Sequence, residues 1–258
     1  MITKKQAEDL AKYYQIDEFT IVREYLQILF LSYLYKEKQA DKIYFKGGTA
    51  IRLLFGSSRF SEDLDFSTPL TTTVIKKTIK IVERSIQKEL PGVNIFPLYT
   101  GKKGLRLRLK YQADDYKYPL VIRLDFNEVK KIGKKILTPL VTKFPVVIFP
   151  LIIHLTDTEI LTEKLCALLT RGKGRDFYDA WFLLERGIKI DTELLKEKLK
   201  ERGKKFKREE ILKKIKNYPQ KQLIQDLSQF LPASQRKAIL VLKNSLKKSL
   251  SRFLHPSG

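Results

Sequence analysis

The 258-residue chain has few of the residues that staple or ligate a fold. A single cysteine, Cys166, excludes a disulfide framework and a cysteine zinc cluster. Two histidines, His154 and His255, lie far apart in sequence and leave no pair at metal-ligand spacing. No apolar run approaches the ~20 residues that span a bilayer, and the opening MITKKQAEDL lacks the apolar stretch of a signal peptide. Internal repeats and low-complexity linkers are also missing. Acidic residues are in short supply, 29 against 51 Lys and Arg, for a formal net charge of +22. What is abundant is core material: 43% of residues are hydrophobic, including 15 Phe and 12 Tyr, which rules out a disordered tail protein. These features predict a soluble, cytoplasmic globular protein, not a membrane protein, with one large domain or two modest ones.

The positive charge is uneven. From Lys196 to Gly258 there are 18 Lys or Arg and only 5 Asp or Glu. A basic surface attracts polyanions, because each neutralised phosphate releases condensed counterions. Nucleic acid is therefore the first partner to consider. Lysine-rich helix faces also serve simply to keep a protein in solution, and charge by itself does not separate RNA, DNA and an anionic membrane.

Patterning predicts an α+β fold with two domains. Thr3 is placed to cap a short helix, and the apolar positions from Phe19 to Leu34 recur at helical spacing. A short strand at Ile43 to Phe45 runs into Gly47-Gly48, a helix starts at Thr49, and Leu64 to Phe66 is β-compatible. An amphipathic helix over Thr71 to Leu90 precedes strands at Val93 to Leu98, Leu105 to Tyr111 and Leu120 to Asn127. In the second of these, Leu105, Leu107 and Leu109 alternate with Arg106, Arg108 and Lys110, so one face is cationic. A β-rich stretch at Phe144 to Phe149 closes a mixed-sheet domain over 1–150. Residues 151–258 read as a mostly helical, strongly basic domain, its last helix spanning Ser234 to Phe253. Cys166 reads as a small buried residue on an apolar helix face, Trp181 and Phe182 as core, and His154 as structural.

The chemistry concentrates between Phe45 and Ser67. Asp63 and Asp65 are two apart, so on a strand both carboxylates face one side. Such a pair repels unless a cation intervenes, and Mg²⁺ accepts a few carboxylates together with phosphate oxygens. Upstream, the Gly47-Gly48-Thr49 turn joins a strand to a helix and offers backbone amides, a helix N-terminus and a hydroxyl to a phosphate. Glu62 alternates to the other side and reads as a solvated acid; Ser61 reads as a turn cap. A glycine pair is more often a tight turn and an Asp-x-Asp more often a solvated loop, but their order here supplies the parts of a nucleotidyl transferase.

The segment Phe45-Lys46-Gly47-Gly48-Thr49, followed by Arg59-Phe60-Ser61-Glu62-Asp63-Leu64-Asp65, resembles the signature of the AbiEii/AbiGii toxin family, nucleotidyltransferases of the DNA polymerase β-like superfamily. That resemblance implies a nucleotidyltransferase-like sheet domain with flanking helices. It further implies transfer of a nucleotide from an NTP, with Asp63 and Asp65 as metal ligands and a third carboxylate from a neighbouring strand. Asp125, set between Leu124 and Phe126, is the natural candidate as ligand or base, with Glu128 as fallback. A salt bridge to Arg123 or to a cation on the adjacent strand would equally explain Asp125.

A second block, Glu163 to Leu184, is similar to the family's downstream motif, a helical lysine followed by Arg and Arg-Asp-x-x-Asp. By that resemblance Lys164 contacts the triphosphate and Asp176 helps complete the site. An N-cap role for Asp176, with Asp179 as a first-turn acid, is the competing explanation. The resulting expectation is in-line transfer with two Mg²⁺ ions, or Mn²⁺ in their place, held by Asp63, Asp65 and Asp125. Gly47, Gly48, Thr49, Lys164 and Arg59, or Arg52, would hold the nucleotide. The resemblance implies an RNA acceptor, with tRNA favoured, a toxin–antitoxin or phage-defence role, and a cognate antitoxin partner. Transfer to a protein hydroxyl and an inactive nucleic-acid-binding module are the alternatives.

Overall fold

The computed structural model describes residues 2–101, 104–112, 118–130 and 134–254, and the chain divides into two compact units after Leu155. The first unit opens with α1 (Lys4–Tyr14), whose Thr3 forms a capping box with Gln6. Next comes α2 (Glu18–Leu34), capped by Asp17. Then follow β1 (Tyr44–Lys46), α3 (Gly47–Phe55), β2 (Leu64–Thr68), α4 (Thr72–Gln87), β3 (Val93–Gly101), β4 (Gly104–Tyr111), β5 (Leu120–Glu128), β6 (Lys135–Pro139) and β7 (Leu151–Leu155). The strands form one mixed sheet in the order β3-β4-β5-β2-β1-β7-β6.

Alternation along these strands separates core from chemistry. Phe45, Phe66 and Phe126 are register partners on β1, β2 and β5 and turn to the same face. Phe66 stacks on Phe126 at 4.8 Å between ring centroids and meets Phe45 at 5.4 Å. On β4, Leu105, Leu107 and Leu109 are buried and extend this apolar face. Helix α2 packs against β5, and α4 against β3 and β4. Because α2 also lies between α1 and α4, it is buried on nearly every side. Its interior reaches the sheet aromatics through Phe30, 6.4 Å from Phe66.

The second unit is helical: α5 (Asp157–Thr170), α6 (Gly174–Glu185), α7 (Thr192–Lys200), α8 (Arg208–Asn217), α9 (Gln220–Ser228), a 3₁₀ segment at Ala233–Leu240, and α10 (Leu242–Leu254). Helix α5 carries a capping box of Thr156 and Glu159, and Asp191 caps α7.

Several expectations change. The first unit ends at Leu155, not near residue 150, because β7 pairs in parallel with β1 and belongs to the sheet. Phe144 to Phe149 forms no strand: Pro145 and Pro150 remove ladder donors there, and Val147 and Phe149 are exposed. Strand β6, unforeseen, is a mostly exposed edge strand without alternation. The expected helix over Ser234 to Phe253 is broken into the 3₁₀ segment and α10, with Leu240 and Val241 exposed at the break. Trp181 and Phe182 are half-buried; α6 turns Phe177, Ala180, Leu183 and Leu184 inward instead. His154 is structural, buried with Nε2 2.8 Å from the Thr138 hydroxyl and Nδ1 2.7 Å from the Leu155 carbonyl. His255 lies outside the described residues.

Candidate active site

One residue along from the aromatic row, the same register sets a charged row on the opposite face. Lys46 of β1 pairs with Asp65 of β2, Asp65 with Asp125 of β5, and Asp125 with Arg106 of β4. Asp65 and Asp125 thus lie side by side on neighbouring strands, about 4.8 Å apart in backbone spacing. Two carboxylates at that separation raise each other's energy unless cations flank them. The flanking cations are Arg106 and Arg123. Arg106 Nε lies 2.5 Å from Asp125 Oδ1, and Arg123 Nε lies 3.1 Å from Asp125 Oδ2. The Arg123 guanidinium also donates to Asp63, just ahead of β2, so it bridges two of the three acids. Asp125 foremost, and beyond it the charges of Asp63 and Asp65, hold the Arg106 guanidinium above its already high ordinary pKa. Arg123 thus joins Asp63 to Asp125, and Asp65 lies beside Asp125 in the register. Glu128, the fallback, alternates away from that face and is exposed. Glu62 faces Arg23 at 3.5 Å.

The glycine turn is built around Asp65. Gly47 starts α3 with φ +84°, and a Cβ there would strike the Asp65 carboxylate, 2.9 Å from its Cβ and Cγ. Only glycine relieves both constraints. At Gly48 a Cβ would meet the Arg59 guanidinium and lie 2.8 Å from Ser61 Oγ. Gly48, Thr49 and Arg59 are buried, and Arg59 Nη1 donates to the Phe60 carbonyl at 2.8 Å. The Thr49 hydroxyl donates to the Asp63 carbonyl. These three residues tie the helix to the loop that carries Asp63, while Gly47 and Lys46 remain half-buried beside the acids. Arg52 is engaged elsewhere: it grips Glu24 at 2.9 and 3.2 Å, donates to Ser57 and stacks on Phe60 at 3.9 Å.

Among the described residues, no three His, Cys, Asp or Glu side chains stand in a metal-holding cluster. The donor chemistry of the trio still suits a hard divalent cation, since it is all carboxylate oxygen. In this structure the Arg123 guanidinium sits between Asp63 and Asp125.

In the second unit the acids are fastened differently. Lys164 Nζ lies 2.7 Å from Asp179 Oδ2, with both residues buried. Asp176, fully buried, accepts from Arg171 Nε at 2.9 Å and Nη2 at 2.8 Å and from the Lys173 amide at 3.3 Å. Asp176 is therefore not the expected N-cap: α6 begins at Gly174 with Lys173 as its cap residue, Asp176 is the first-turn acid that reaches back to the Lys173 amide, and Asp179 falls a turn later. The α6 N-terminus receives a further acid: the Gly174 amide donates to Asp226 at 2.7 Å, as does the Tyr218 hydroxyl. Burial, followed by that hydrogen bond, pushes the Tyr218 phenol up to about 12. For Asp226 burial acts upward, but the hydrogen bonds from Tyr218, Gln222 and Gly174 outweigh it and hold the carboxyl below its ordinary value. A cavity of about 530 Å³ in this unit is lined by Arg171, Lys204, Lys213 and Lys214 beside Phe177 and Tyr218. Lys204 and Lys214 donate to the last carbonyls of α5. Burial raises the Cys166 thiol to about 11, which makes it a poor nucleophile.

Arg106 and Arg123 pair with the candidate acids, although the sequence pattern placed them only on a cationic face or in a structural salt bridge. Their signal was the strict alternation on β4 and β5, which becomes a site only when the strand register is known.

The uncharacterised protein aq_aa25 of Aquifex aeolicus (strain VF5) is 28% identical over 153 residues, 57% of this chain and 59% of that protein. The match therefore spans about three-fifths of this curated relative. MenT4, a nucleotidyltransferase toxin of Mycobacterium tuberculosis H37Rv, superposes with a TM-score of 0.69 at 18% identity, over 100% of this chain and 91% of that one. JHP933 of Helicobacter pylori superposes with a TM-score of 0.54 at 19% identity, over 92% and 94%. At these identities the two structures establish a shared fold. The family described as nucleotidyl transferase AbiEii toxin, type IV TA system, matches residues 29–248, which include the carboxylate trio, the glycine turn and the Lys164 to Asp179 block. The chain belongs to this family of nucleotidyl transferase toxins of type IV toxin–antitoxin systems.

Proposed function

We propose that this protein transfers a nucleotide from an NTP to a hydroxyl of an RNA acceptor, with tRNA the favoured class, in a reaction that needs Mg²⁺ or Mn²⁺. The observation that carries this reading is the in-register pair Asp65 and Asp125, with Asp63 on the same face, beside the Gly47 turn. Bound there, divalent ions supply charge neutralisation at the phosphates and lower the pKa of the attacking hydroxyl. Asp63, Asp65 and Asp125 hold them. The acceptor oxygen attacks the α-phosphorus, the α–β bridging P–O bond breaks, and pyrophosphate leaves in line. A carboxylate of the trio takes the hydroxyl proton. Arg123 and Arg106 turn from the acids to the phosphates as charge accumulates there, a role suited to guanidinium forks. Gly47 lets Asp65 close on the helix start, and Thr49 fixes the backbone of Asp63.

The strongly basic helical unit supports an RNA acceptor, because lysine-rich helices hold the folded body of an RNA by its phosphates. Membership of the family supports an antitoxin as the second partner; a cytoplasmic setting and a place in phage defence are part of the same proposal.

The test is incubation with total RNA, Mg²⁺ and each α-labelled NTP, beside the Asp63→Ala, Asp65→Ala double variant. Labelled RNA of tRNA size that disappears in the variant is the expected result. Label in protein would move the acceptor to a side-chain hydroxyl, and no label in RNA or protein would overturn the reading.

A further inference from the structure

The carboxylate face of the sheet does not end at Arg106. Continuing along the register, Arg106 pairs with Tyr99 and Arg108 with Phe96 on the edge strand β3. A bulge between Pro97 and Tyr99 shifts the alternation by one, so both aromatic rings emerge on the face that carries Arg106, Arg108 and Lys110. Phe96 is 49% exposed and Tyr99 52%, unusual for large rings on a sheet. Neither Arg108 nor Lys110 has an ion-pair partner among the described residues, in contrast to Arg106 and Arg123. The result is a short open platform, two aromatic rings set among cations, that runs in one continuous face to Asp125 and Asp65. Two strand spacings, about 10 Å, separate Asp125 from Tyr99.

We infer that this platform binds the single-stranded terminal nucleotides of the RNA acceptor. Bases stack on Phe96 and Tyr99 while Arg108 and Lys110 follow the phosphates, which leads the terminal hydroxyl onto the carboxylate trio. Stacked aromatics with interleaved cations are the general solution for unpaired nucleic acid, because each base has a π face and each step a charge. A paired end offers such a surface only the outer face of its terminal pair, not successive bases. A protein strand added to the β3 edge would use the backbone and the apolar rings but has no need of Arg108 and Lys110, so charge complementarity favours RNA. This inference rests on the proposed transfer to RNA, and the experiment separates the two.

The full-length protein is titrated into a fluorescein-labelled unstructured twelve-nucleotide RNA, a blunt RNA hairpin and a labelled NTP, with anisotropy as readout. The Phe96→Ala, Tyr99→Ala variant should bind the single strand about tenfold or more weakly, the scale of losing one or two base stacks. Hairpin and NTP binding should stay within about twofold, and Phe96→Tyr with Tyr99→Phe should restore the single strand. Both rings are exposed, so the thermal midpoint reports whether the variant keeps its fold. Arg108→Glu provides a second variant, expected to weaken the single strand and flatten its salt dependence. Equal loss on hairpin and single strand would overturn the inference in favour of phosphate reading alone. Unchanged single-strand binding would also overturn it and leave the β3 edge to a protein partner. If wild-type protein binds the single strand through Phe96 and Tyr99 but transfers no nucleotide, the proposed activity falls and the platform stands. If transfer to RNA proceeds undiminished in the alanine variant, the activity stands and the platform falls.

Discussion

Two sets of aspartates, built from the same residue types and both within the family match, are held in opposite ways. In the sheet, Asp63 and Asp125 keep 20% and 14% of their side chains exposed and share their charge with arginines that are themselves about half exposed. Such partners swing away at small cost, since a surface ion pair is worth ~0–1 kcal/mol. In the helical unit, Asp176 and Asp179 are themselves fully buried, and Asp179 meets a buried cation, Lys164, whereas Asp176 meets the half-exposed Arg171. Breaking a buried pair strands a charge in the interior. The difference favours the proposed reading, with exchangeable acids in the sheet and the Asp179–Lys164 pair locked, although both sets look alike in the sequence.

The sharpest way to strain this comparison is to neutralise the sheet acids one at a time. Asp65→Asn should lower transfer by at least about 10³-fold with little change in the thermal midpoint, and Asp125→Asn should follow it. Normal turnover in Asp125→Asn would place the third carboxylate elsewhere. On the other side, Asp179→Ala should cost ~3–5 kcal/mol in urea unfolding by leaving Lys164 buried and alone. Lys164→Met combined with Asp179→Leu should recover most of that loss. NTP affinity that collapses in the recovered double variant would give Lys164 the triphosphate role that the family resemblance implies, and the contrast would weaken. Gly47→Ala should cost ~1–2 kcal/mol for the left-handed backbone. Its loss of transfer should exceed that figure, because the methyl also displaces Asp65.

The smallest effect is a pH dependence of the Asp226 and Tyr218 pair. Asp226 titrates below its ordinary value when folded, so its contribution is complete above the unfolded pKa and fades as pH falls through the folded one. Tyr218 is raised to about 12, so its contribution is complete below the ordinary 10 and fades between that value and about 12. Asp226→Asn should flatten the acid limb of stability against pH. An unchanged limb would show that the acid does not hold the α6 terminus.

Much of the sheet unit was legible because period-2 alternation and glycine turns are local signals. Leu105 to Tyr111 could be assigned face by face, and Asp63 and Asp65 could be placed on one side of a strand. What could not be read was register, because pairing β2 with β5 is a long-range event. That pairing turned Arg123 from a candidate salt-bridge partner of Asp125 alone into the bridge between Asp63 and Asp125. The burial of Thr49 and Arg59 within the turn was likewise not legible from spacing. In the helical unit the pattern foretold a mostly helical body, as observed. Which of Asp176 and Asp179 would pair with which cation depended on α5 and α6 packing together, which spacing does not report.

The interleaving of the phenylalanine row with the aspartate row has a genetic consequence. Inserting or deleting one residue in β2 or β5 would send carboxylates into the hydrocarbon interior and rings into water, so such lesions should abolish the protein altogether. Point changes at Asp65 or Asp125 leave the interior untouched. Inactive descendants of this toxin should therefore accumulate as single-codon replacements that still fold, remain soluble and present an intact surface to whatever restrains the active form.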